Sequence, residues 1–270
     1  MVNSVLPLIL ITFKEGVRHR IIFGAFMAAL LLVFFSVFFC GLFMRDLLKV
    51  LVDVCLAAIS ISGLLVPLFF SISQFSGDIE KKTIYSIISR SISRGQYLLG
   101  RFLGLNLLAF AIMAILLGAT FVSLEIARTL YSDAYFSGVS VSSISLAAFT
   151  AFLSVCLLNA AVVFWTCITT SSFLATLLTL STYAIGHTIE DLVRFVESQG
   201  HVINITMTTK YTLIGIMYVF PNFATFDKKQ LAAHGLPISL EEVLLLTLYC
   251  LTYSTVLIYF SIFFFKKRDL

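Results

Sequence analysis

Charge is what this chain has least of. Of 270 residues, 18 are Lys or Arg and 14 are Asp or Glu, which is 12% of the chain. A soluble domain carries roughly 25% charged residues. Hydrophobic residues here reach 60% and the mean hydropathy is +1.04. The balance excludes an ordinary water-soluble domain and predicts an integral membrane protein. Cysteine is sparse as well. Cys40, Cys55, Cys156, Cys167 and Cys250 are odd in number, form no Cys-x-x-Cys and lie in or beside apolar runs. They read as small buried side chains, not as a disulfide framework or a zinc site. No Gly-Lys pair occurs, so the chain has no Walker A loop. HExxH, GxSxG and Cys/His ligand spacings are also missing, and no catalytic or metal-binding residues are assigned. His19, His187, His201 and His234 are scattered, and read as surface residues in preference to metal ligands. A cleaved signal peptide is not expected, because Lys14, Arg18 and Arg20 follow the first short apolar run instead of preceding it.

What is present is a series of long apolar runs. A membrane-crossing helix needs about 20 apolar residues. Six runs qualify as spans, over about 21–44, 54–76, 102–124, 144–169, 173–188 and 243–265, and none has a charged residue in its interior. They do not alternate in polarity, which excludes barrel strands. The polar run Thr166, Thr169, Thr170, Ser171 and Ser172 suits a tight turn between the fourth and fifth spans. The expected fold is therefore all-α, a single membrane domain over 1–270. With a cytoplasmic N-terminus, the inner segments hold eleven basic and four acidic residues, and the outer ones seven and ten. This positive-inside bias places both termini in the cytoplasm. The segment 201–220 could form a seventh span, but Lys210 near its middle favours a helix on, or dipping into, the outer face.

Three segments are not spans. Residues 1–20 form an amphipathic elbow. Leu6, Ile9, Leu10, Phe13 and Val17 recur at helical spacing, and the cations follow at its end. The elbow is either a plain lipid anchor or an anchor that also touches a cytoplasmic partner. Residues 77–101 form a basic loop. A short helix over 78–89 would put Ile84, Ile87 and Ile88 on one face, the alternative being a solvated loop. Residues 189–242 form a long outer loop, expected to be functional or locally structured. It ends in Ser239 and Glu242, a capping-box pattern that starts the sixth span. Pro67 predicts a kink in the second span.

The spans carry no Asp, Glu, Lys or Arg at mid-depth. Ion-coupled transporters place ionisable groups or unwound helices there. Asn106 and Asn159 are the strongest interior polar groups and read as interhelical hydrogen-bonding residues. If the protein moves a solute, its energy comes from a partner.

The stretch 74–104 resembles the corresponding loop of ABC-2-type permeases. The matching residues are Glu80, Lys81, Lys82 and Thr83, then Ser89, Arg90, Ile92, Ser93 and Arg94, then Tyr97, Leu98, Leu99, Gly100 and Arg101. Ser91 replaces the usual proline and Arg101 the usual lysine. Lys14, Glu15 and Arg18 are similar to the family's N-terminal KE-x-x-R segment. FPNFATFD (220–227) and FFFKKRDL (263–270) resemble the subgroup that includes the permease of the nitrous-oxide-reductase maturation exporter. The resemblance implies six spans with an elbow helix, a cytoplasmic coupling helix and outer re-entrant or interfacial helices. It implies a permease subunit of an exporter in a bacterial or archaeal inner membrane, paired as a homodimer with two cytoplasmic ABC ATPase subunits. The partner would bind ATP and Mg; this chain would hold no cofactor, be no enzyme by itself and bind no nucleic acid. Glu80, Lys81, Lys82, Thr83, Ile84, Ile88, Arg90 and Arg94 would contact the ATPase, and Lys14, Glu15 and Arg18 would belong to the elbow. The alternative is a non-transporting scaffold through which an ABC ATPase does mechanical work on an extracytoplasmic partner. An intramembrane enzyme finds no ionisable or nucleophilic constellation in the spans.

Overall fold

The computed structural model describes residues 2–42, 47–72, 93–131, 136, 138, 140–199 and 207–267, without the side chains of 2–4, 66–68, 197–199 and 207–210. Every regular element among the described residues is helical. In chain order these are α1 (Val2–Arg18), α2 (Ile21–Leu42), α3 (Leu47–Leu65), α4 (Arg94–Tyr131) and α5 (Val141–Ile168). Then come α6 (Ser172–Gln199), α7 (Met207–Val219), the short α8 (Lys229–Ala233) and α9 (Leu240–Lys267).

Five helices are long and apolar enough to cross a membrane: α2, α3 with its extension to Ser71, α4, α5 and α9. These correspond to five of the six expected spans. The other, 173–188, lies in α6, which is long enough but is not apolar enough by the same measure. Thr176, Thr179, Ser181, Thr182 and His187 dilute it. Several helices outrun the expected spans. Helix α4 has 38 residues, about 57 Å at 1.5 Å per residue, against a hydrocarbon core of about 30 Å. Helix α7 has 13 residues, about 20 Å long, and as described is too short to cross.

Helix α5 is the hub, with 67% of its most apolar window buried, and it packs against α3, α4, α6 and α9. Helix α2 is the opposite case. Its window is only 22% buried, and Phe23, Phe26, Leu30, Phe34 and Phe38 are exposed. An apolar face of this size suits hydrocarbon and not water.

Local signals explain the element ends. Ser93 caps α4 in a reciprocal box: its hydroxyl accepts from the Gln96 N–H at 3.2 Å, and the Gln96 side chain accepts from the Ser93 N–H at 3.0 Å. Ser239 caps α9, accepting from the Glu242 N–H at 3.1 Å. Helix α5 stops at Ile168 and α6 begins at Ser172, so the polar run does form a tight turn. The expected disturbance at Pro67 is a π-helical stretch, Val66–Ser71. Pro67 has no N–H to give the carbonyl four residues back, and a wider turn accommodates that loss. Arg20 ends the α1–α2 turn in the left-handed region, φ 60°.

Among the described residues, a chain of side-chain hydrogen bonds crosses three elements of the interior. Asn159 donates to Asn106 at 2.8 Å and accepts from Ser71 at 3.2 Å, joining α5 to α4 and to the π-helical stretch. The expected interhelical role of both asparagines is what the geometry shows. Replacing Asn159 with Leu should leave two polar partners unsatisfied. The expected destabilisation is about 1–2 kcal/mol, the upper range for such bonds inside membranes, read as a lower midpoint in thermal unfolding of the detergent-solubilised chain.

Candidate functional site

The residues expected to act at the inner face fall into two groups. Glu80, Lys81, Lys82, Thr83, Ile84, Ile88 and Arg90 lie outside the described residues. Lys14, Glu15, Arg18 and Arg94 are described, and they sit where α1, the start of α4 and the end of α9 converge.

Helix α1 crosses α4 at very short range because three glycines allow it. A Cβ at Gly100 would come within 2.6 Å of the Leu8 Cβ, and one at Gly104 within 2.5 Å of the Thr12 Cβ and 3.1 Å of the Ile9 carbonyl oxygen. On the α1 side, a Cβ at Gly16 would press the Leu108 methyls at 2.6 Å. Small residues four apart let helix backbones approach closely, as in membrane helix pairs generally.

That approach buries a charge. Arg101 is 4% exposed. Its guanidinium makes an ion pair with Glu15 and donates to the Thr12 hydroxyl at 3.2 Å, which in turn donates to the Leu8 carbonyl at 2.9 Å. Desolvating a charge costs several kcal/mol, so the buried cation requires its carboxylate. The Glu15 side chain keeps 37% of its exposure, so water screens part of the pair. Lys14 and Arg18, on either side of Glu15, are exposed.

Arg94 ties the same region to α9. Its guanidinium donates to the Phe265 carbonyl at 2.9 Å and the Lys266 carbonyl at 3.3 Å, and lies 5.9 Å from the Phe265 ring centroid. These carbonyls belong to the last turn of α9, where a cation meets the negative end of the helix dipole. Beneath the polar contacts, Leu8 of α1, Tyr97 and Leu98 of α4, Val163 of α5 and Phe265 of α9 share one apolar cluster. The four helices are thus locked together at this end.

Of the residues expected to act here, Glu15 and Arg94 make these cross-helix contacts. The sequence reading did not assign Arg101, Thr12 or the glycines to this site. Gly100-x-x-x-Gly104 was the available signal, but it straddles the expected start of the third span at 102. No protein-family model matches the chain, and no curated protein does.

The far end is organised by the segment 220–227. Phe223 and Phe226 are buried. The Phe223 N–H donates to the Gly186 carbonyl at 2.8 Å, the Asn222 side chain to Glu190 at 2.6 Å, and the Tyr249 hydroxyl accepts from the Asn222 N–H at 3.0 Å. A Cβ at Gly186 would overlap the Pro221 carbonyl oxygen. This segment therefore clamps α6 to α9.

Two outcomes follow for the α1–α4 contact. Gly104→Val should destabilise the chain by about 1–3 kcal/mol through overpacking. Gly118→Val on the same helix should be near neutral, since a Cβ there meets nothing within 4 Å. Glu15→Gln and Arg101→Met should each destabilise the chain by roughly 1–3 kcal/mol after allowing for the solvent at Glu15, read as a lower unfolding midpoint. The double variant should lose less than the sum, because the apolar replacement no longer needs a counter-charge.

Proposed function

We propose that this chain is the membrane permease subunit of an ATP-driven exporter of the ABC-2 type. The observation that carries the reading is the convergence at one end of the bundle of the elbow, the start of α4 and the end of α9. The elbow is not a loose anchor there. Through Glu15–Arg101 and the glycine contacts it is fixed to α4, and through Arg94 α4 is fixed to α9. The segment that resembles the family's coupling helix runs directly into Ser93 and the capped start of α4. A displacement applied to that segment reaches α1, α4, α5 and α9 together. Coupling of this kind needs two global states that the partner contacts differently.

In this reading the α1 end faces the cytoplasm, and α6 carries the fifth span, which brings the total to six. Helix α6 turns back from α5 within three residues and meets the 220–227 segment at the far end. Its threonine hydroxyls are bonded inside the protein. Thr179 donates to the Ala175 carbonyl and Thr182 to the Leu178 carbonyl, each at 2.8 Å, and Trp165 donates to Thr182 at 2.9 Å. Hydroxyls bonded in this way meet, for themselves, the requirement that polar groups at membrane depth be satisfied internally. With no Walker A loop in the sequence, ATP and Mg belong to the partner. A second copy of the chain completes the membrane core.

The proposal predicts an ABC ATPase encoded beside this chain's gene, and co-expression with that ATPase tests it. The wild-type chain should co-purify with that ATPase in detergent, and Ile84→Asp with Ile88→Asp should reduce the recovered ATPase at least tenfold without lowering the yield of this chain. A well-folded wild type that binds no ATPase overturns the exporter reading. A double variant that keeps full binding and full ATPase activity overturns the docking segment.

A further inference from the structure

Helix α1 turns one face to α4. Leu8, Thr12 and Gly16 lie on that face, and Glu15 is committed to Arg101. Lys14 and Arg18, four residues apart, share an outer edge, and Arg20 stands at the α1–α2 turn. All three are exposed, and none has an ion-pair partner among the described residues. Glu15 is the only carboxylate in α1 or α2. Val17 is exposed next to Arg18, and α2 leaves the turn with Phe23 and Phe26 exposed. Unmatched cations beside bare apolar side chains fit a ligand that is anionic at one end and apolar at the other.

The position of these cations favours an individually bound lipid over general attraction to the bilayer surface. Arg94, at the start of α4, bonds the Phe265 and Lys266 carbonyls, and Phe260, Phe263 and Phe264 are exposed near that end of α9. Hydrocarbon therefore reaches the last turns of α9. Gly16, two residues before Arg18, faces Leu108. From Arg94 to Leu108 is fourteen residues of α4, about 21 Å along its axis and about 16 Å across a bilayer at a tilt of about 40°. One headgroup layer, about 5–8 Å deep, does not cover both levels. A headgroup at the α1–α2 turn must leave the plane of its neighbours to meet the cations.

We propose that Lys14, Arg18 and Arg20 hold the headgroup of one anionic phospholipid, whose acyl chains run along Val17, Phe23 and Phe26. The guanidinium forks of Arg18 and Arg20 suit phosphate oxygens, and the docking of α1 on α4 fixes the cations before the lipid arrives. The site needs this chain alone and no ATPase, so it stands apart from the exporter reading.

Fluorescent, acyl-labelled phosphatidylglycerol, titrated onto the full chain in detergent and followed by anisotropy, tests the site. Phosphatidylcholine with the same label is the reference. Phosphatidylglycerol should bind saturably and at least tenfold more tightly. Lys14→Gln, Arg18→Gln and Arg20→Gln together should weaken it at least tenfold and leave the unfolding midpoint unchanged, since these side chains have no partner in the protein. Lys14→Gln with Arg18→Gln, which spares the turn, should weaken it at least threefold. Lys266→Gln with Lys267→Gln removes two cations at the other level and should change the affinity less than twofold. Equal binding of the two lipids, unchanged affinity in the triple variant, or an equal loss in the Lys266 and Lys267 variant overturns the site. A triple variant that recovers less ATPase while its phosphatidylglycerol binding stays unchanged gives the cations to the ATPase and overturns it as well.

Discussion

The buried guanidinium of Arg101 sets the terms for the α1 end of this protein. A cation that is 4% exposed, in a chain so poor in charge, must be met by a carboxylate. Glu15 meets it from α1. That contact is possible only because Gly100 and Gly104 let α1 come down onto α4, with Leu8 and Thr12 filling the space where side chains would stand. The ion pair and the glycine contacts therefore depend on one another. Removing the glycines would pull the carboxylate out of reach; removing the carboxylate would leave a charge buried beneath a helix with no reason to stay.

Among the described residues, the buried neutral polar side-chain atoms other than Nδ1 of His187 follow the same rule. Inside a bilayer no water is available to satisfy a polar atom. The buried hydroxyls accordingly bond back to their own helices: Thr120 to the Leu116 carbonyl at 2.9 Å, Thr166 to Val162 at 2.8 Å, Ser261 to Leu257 at 2.7 Å. Asn159 is completed by Asn106 and Ser71. Such hydrogen bonds hold the helices in register.

The helical class and five of the spans were legible from apolar runs alone, because a bilayer imposes length and apolarity on every span. The edges were less legible. Helix α4 runs from Arg94 to Tyr131 where 102–124 was expected. Arg94, Arg101, Glu125 and Arg128 lower its hydropathy, yet a helix can continue beyond the membrane without being apolar. Helix α3 begins at Leu47, seven residues earlier than expected, across Lys49 and Asp53. The amphipathic elbow was readable from its three/four spacing, but its docking was not. Glu15 and Arg101 are 86 residues apart, and no local periodicity connects them. The segment 189–242 was recognisable as functional or locally structured from its length, whereas the clamp of 220–227 on Gly186 and Glu190 depends on contacts between distant parts of the chain.

The account turns on α1 being a fixed part of the helical core and not a free lipid anchor. Spin labels at Lys14 on α1 and Leu130 near the far end of α4, both exposed, would measure this directly in lipid nanodiscs. One narrow distance distribution in the wild type, broadened by Glu15→Gln, is the predicted result. A broad or multiple distribution in the wild type, unchanged by Glu15→Gln, would contradict it.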